Sequence, residues 1–87
     1  MIPDLERAIV QIEHESKVAT AMVAQKINAE KAYELYIERA YQIFSRAVER
    51  ILQGGNIIRE SLKELPLYDD RLLSIDRSTR RALGLAA

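Results

Sequence analysis

Cysteine is absent from this 87-residue chain, and proline and glycine number only two and three. Without thiols there are no disulfides and no thiolate metal sites, which fits a reducing, cytoplasmic setting. Thirteen basic and thirteen acidic side chains cancel, so no global field draws the chain to nucleic acid or to a membrane. No apolar run reaches the roughly 18 residues that a membrane span requires. The start, Met1-Ile2-Pro3-Asp4-Leu5-Glu6, lacks the basic and apolar stretches of a signal peptide. One histidine and no cysteine leave few nucleophile–base pairings, and no serine or carboxylate sits in a glycine-rich elbow or phosphate loop. The expectation is a single soluble domain over residues 1–87 that is not an enzyme and holds no cofactor.

What is present is helical. From Asp4 to Gln53 there is neither glycine nor proline, and the stretch is rich in Ala, Glu, Lys, Arg, Gln and Leu, all good helix formers. Its apolar residues follow a 3-4 spacing: Leu5, Ile9, Ile12, Ser16, Ala19, Val23, Lys26 and Glu30, then Tyr33, Ile37, Ala40, Phe44, Ala47 and Ile51. That is a heptad seam, the pattern of coiled coils and bundles. A flanking row (Ala8, Met22, Ala29, Tyr36, Ile43) widens it to bundle proportions. Pro3 and Asp4 suit a helix start.

The spacing therefore predicts an all-α protein with one long helix over about 4–53. Gly54-Gly55 would form a turn, followed by two short helices packed back on the rod, about 56–65 and 70–83. Asn56 is the expected cap of the first, and Pro66 its end. Asp69 or Asp70 is the expected cap of the second, with Leu72, Leu73, Ile75, Thr79, Ala82 and Leu83 inward and Gly84 as the C-cap. The alternative is a break near Asn28, which can cap a helix beginning Ala29-Glu30-Lys31 and would give a four-helix monomer.

A 50-residue helix is about 75 Å long at roughly 1.5 Å per residue, and the two short helices can cover only its half from Tyr33 to Ile51. On that reading Leu5, Ile9, Ile12, Ala19, Met22 and Val23 meet another chain, because a bare apolar strip is rare on a soluble monomer. A homodimer or higher homo-oligomer, or a larger protein partner, follows, and the bundle is completed by oligomerisation. Ser16, Lys26 and Glu30 interrupt the seam and are candidates for setting register; solvation at a rotated or broken helix is the plainer account.

Charge is balanced overall but blocked locally, at net −3, +3, −3 and +3 over residues 1–38, 39–59, 60–70 and 71–87. Such alternation suits a chain that meets itself or a copy with opposite signs aligned. Arg39, Arg46, Arg77, Arg80 and Arg81 form a candidate basic contact patch, with tyrosines interleaved near the first two. Cations at a helix C-terminus are also ordinary dipole partners. Glu30, Glu34 and Glu38 form an acidic ladder, but the Glu-x-x-His pairing of a di-metal bundle is missing, since residue 11 is Gln and His14 lies off the seam. The expected function is a non-catalytic assembly module or accessory subunit. A small nucleic-acid-associated protein is the alternative, and a helical metal-binding protein a distant third.

Overall fold

A computed structural model describes residues 3–53 and 65–85, and among these the chain is entirely helical apart from turns. The described residues hold three helices: α1 (Pro3–Ala24), α2 (Ala29–Gln53) and α3 (Leu65–Ala82). The expected Gly54-Gly55 turn, the Asn56 cap and all but the last residue of the helix placed at 56–65 lie outside the described residues.

The single rod over 4–53 is not formed. The helix stops at Ala24 and the chain reverses within four residues. Lys26 adopts a left-handed backbone with φ of 68°. The Lys26 amide donates to the Val23 carbonyl at 3.0 Å and the Ile27 amide to the Met22 carbonyl at 3.1 Å, the paired bonds of a Schellman C-cap. Asn28 then opens α2, its Oδ1 accepting from the Glu30 and Lys31 amides at 2.8 and 3.2 Å. That is an N-cap satisfying two of the donors a helix start leaves free. A C-cap and an N-cap back to back thus do the work of glycine and proline. The molecule's longest extent is 46 Å, well short of a 75 Å rod.

α1 is the central element. α2 returns antiparallel along it, with Arg50 beside Asp4 near one end and Arg39 beside Glu15 near the middle. α3 runs parallel to α1, since Glu6 meets Tyr68 and Arg71 while Ser16 meets Thr79. The core has two linked parts. Leu5, Ala8 and Ile9 pack with Ala47 and Tyr68 at one end, and Ile12 and Ala19 pack with Ala32, Tyr36 and Leu83 at the other. The first half of the seam is therefore covered by the chain's own α2 and α3, which removes the need for another copy there.

The four-residue reversal also breaks the heptad register. In α2 the buried positions are Ala32, Tyr36 and Ala47, so Ile37, a seam residue, turns outward. α3 begins at Leu65, which puts Pro66 in its first turn. Proline fits there because the first-turn amides have no intrahelical acceptor. Asp69 and Asp70 consequently lie inside the helix and do not cap it. The far end is as expected: Gly84 is left-handed with φ of 75°, and Gly84 and Leu85 close a second Schellman motif onto Arg81 and Arg80.

Candidate interaction surface

α2 and α3 both pack on α1 but diverge from each other, and a groove opens between them. Its floor is Tyr36, Ala40 and Phe44 from α2 and Leu72 from α3, and its volume is about 510 Å³. Ala40 contributes only a methyl group to that floor. The rims are apolar as well: Ile37, Tyr41 and Leu73 line the groove with 43, 75 and 52% of their surface exposed.

Polar networks close the groove's walls. At one end the Tyr33 hydroxyl donates to Asp76 Oδ1 at 2.7 Å, and Arg80 Nε lies 3.1 Å from Asp76 Oδ2. The Arg80 Nε–H is buried yet makes no hydrogen bond, so charge rather than a directed bond holds this pair. Burial, reinforced by the bond to Asp76, pushes the Tyr33 phenol up to about 12. Tyr36 stacks beside it, ring centroids 6.0 Å apart, and is also raised, chiefly by burial and partly offset by Thr79. Asp76 is thereby committed to holding α2 and α3 together, while Asp69, which also lines the groove, is exposed.

Beside the other end, Glu6 of α1 accepts from the Tyr68 hydroxyl at 3.0 Å and from Arg71 at 2.8 and 2.9 Å. The bonds from Arg71 and then Tyr68 hold the Glu6 carboxyl below its usual range, against the opposing effect of burial. Arg71 also sits over the Tyr68 ring, 5.7 Å from its centroid.

The residues singled out from sequence fall in different places. Leu5, Ile9, Ile12 and Ala19 are buried inside the chain, and Met22 and Val23 half-buried against the same core. Of the polar interruptions, Ser16 bonds to Thr79 across α1 and α3, whereas Lys26 and Glu30 are exposed at the reversal. The five arginines do not act as one patch. Arg39 faces Glu15 of α1 at 3.8 Å and Arg80 is held by Asp76, while Arg46, Arg77 and Arg81 are exposed. His14 lines a shallow hollow with Val10, Glu15 and Arg39, and among the described residues no three His, Cys, Asp or Glu side chains come together to hold a metal. No described helix is long and apolar enough to cross a membrane.

The groove itself was missed in the sequence. Tyr41 was its one signal, a large apolar residue belonging neither to the seam nor to its flanking row. Compared with known protein families, curated proteins and solved structures, the chain matches none.

Proposed function

We propose that this chain is a non-catalytic, cytoplasmic helical interaction module, an assembly or accessory subunit whose contact surface is the α2–α3 groove. One observation carries this reading: Ile37, Tyr41 and Leu73 are exposed together around a floor that is itself apolar. Covering a side chain of this size is worth about 1.5–3 kcal/mol, and clustered exposed apolar side chains of this kind mark contact sites. Tyrosine is also among the residues enriched where partners meet. Asp76 is occupied by Tyr33 and Arg80, which leaves Asp69 as the groove's exposed carboxylate beside a lining that is otherwise mostly apolar.

The test is capture from the native host with the wild-type chain and with Tyr41→Glu/Leu73→Glu as bait. Both residues are exposed, so the variant is expected to fold normally and to lose the partners retained by the wild type. An unchanged set of captured proteins would overturn the reading.

A further inference from the structure

We infer that the partner at this groove is a second copy of the same chain, seated about a two-fold axis parallel to the helices. The inference rests on the groove being a contact surface, and adds the identity of what covers it. Within the chain α2 and α3 are antiparallel across the groove, with Tyr33 level with Asp76. A two-fold axis along the groove keeps each residue at its own height and sets α2 of one copy against α3 of the other. The four helices then form an antiparallel bundle layer, with the two grooves filling each other.

Charge favours that arrangement. Glu30, Glu34 and Glu38 each precede a groove-side residue by two turns, namely Ile37, Tyr41 and Ser45. They therefore make an acidic bank along α2. All three are exposed, and the only ion pair any of them makes among the described residues is Glu34 with Lys31 at 3.8 Å. Across the groove, Arg77 lies one turn beyond Leu73 and Arg81 one turn further. Both are exposed and neither makes an ion pair among the described residues. The acidic bank and these arginines sit at the same end, the end marked by Tyr33 and Asp76. The two-fold brings Glu34 of each copy toward the partner's Arg77, and Ile37 toward the partner's Leu73. A face that carries both signs on opposite banks is complementary to itself, and an isologous interface requires that property.

The groove is lined from Tyr36 to Ser45 on α2 and from Asp69 to Asp76 on α3, and Glu30 and Glu34 with Arg77 and Arg81, all exposed, extend the contact face past its Tyr36 end.

Sedimentation across a concentration series tests this directly. The wild type is expected to dimerise, and Leu73→Glu, which enters the interface twice, to weaken the dimer about 100-fold with unchanged helicity. Glu30→Arg/Glu34→Arg and Arg77→Glu/Arg81→Glu are each expected to weaken self-association about tenfold. Mixed, they form a heterodimer near wild-type affinity, because every reversed charge again meets its opposite. A wild type that stays monomeric to millimolar concentration overturns the inference, as does a dimer indifferent to Leu73→Glu or a swapped pair that fails to recover. If a monomeric wild type still loses captured partners through Tyr41→Glu/Leu73→Glu, the contact surface stands and its occupant is another protein. If capture is also unaffected, both fall.

Discussion

The Ser16 and Thr79 hydroxyls, 63 residues apart in the chain, meet at 2.5 Å. Thr79 spends its own proton on the Ile75 carbonyl at 2.7 Å, and a hydroxyl has only one to give. Ser16 is therefore the donor. Thr79 is fully buried, so the pair is a polar pin inside an apolar seam. Thr79→Val keeps the shape and strands Ser16, and should cost about 1–2 kcal/mol in urea unfolding. Adding Ser16→Ala should recover part of that loss. Additive losses would mean the two hydroxyls do not depend on each other.

Lys26 offers a test by sign. A lysine with φ of 68° bears a steric strain of about 1 kcal/mol that glycine does not. Lys26→Gly should therefore leave the fold as stable or raise it by up to about 1 kcal/mol. In a continuous helix the same change would cost about 1 kcal/mol. Thermal melting separates the two. Asn28→Ala removes the adjoining cap and should cost about 1 kcal/mol.

Two linked groups predict opposite pH limbs. Glu6 has its folded pKa lowered below the reference value of 4.5. Its contribution to stability is present above that value and fades as pH falls through the folded pKa. Glu6→Gln should thus be less stable than wild type near neutrality, the gap closing in acid. Tyr33 is raised from 10.0 to about 12. Its contribution is full below pH 10 and is lost as pH climbs toward 12. Tyr33→Phe should flatten that alkaline limb, and a tyrosinate absorbance titration of the variant should lack the late phenol at about 12 that Tyr33 contributes in the wild type, while the raised Tyr36 phenol remains.

Ile9 separates internal packing from assembly. It is fully buried between α1 and α2, so Ile9→Ala should cost about 2–5 kcal/mol at every protein concentration. A loss that disappears at high concentration would place Ile9 at an interface between chains.

Much of α1 could be read from its spacing, since Leu5, Ile9, Ile12 and Ala19 are one face of one helix and need no knowledge of what covers it. Gly84 was legible for the same local reason. Asn28 carried half of the break, but Lys26 carried the other half silently. Lysine is a good helix former, and its left-handed conformation is imposed by the cap bonds to Val23 and Met22 rather than by its own preference. Beyond the break Ala47 is still buried and Tyr33, Ala40, Phe44 and Ile51 still pack half-buried against the core, and Ile37 is the one apolar seam residue of α2 that emerged at the surface. Pro66 reads equally well as a stop or a first-turn residue, and the start of α3 at Leu65 places it in the first turn. The groove depends on the angle between α2 and α3, and no spacing along one helix contains that angle.

The reversal at residues 25–28 has a consequence for how copies of this chain exchange parts. Every contact between α1 and α2 survives if the two helices belong to different molecules, and only the caps at Lys26 and Asn28 oblige them to be neighbours. Replacing Lys26, Ile27 and Asn28 with alanine removes both caps and leaves a sequence that favours one unbroken rod. Such a chain regains its core by trading α1 with another copy. In gel filtration it should elute as an elongated, slowly exchanging dimer that Leu73→Glu does not dissolve. Three residues thereby choose between folding inward and interlocking with a neighbour.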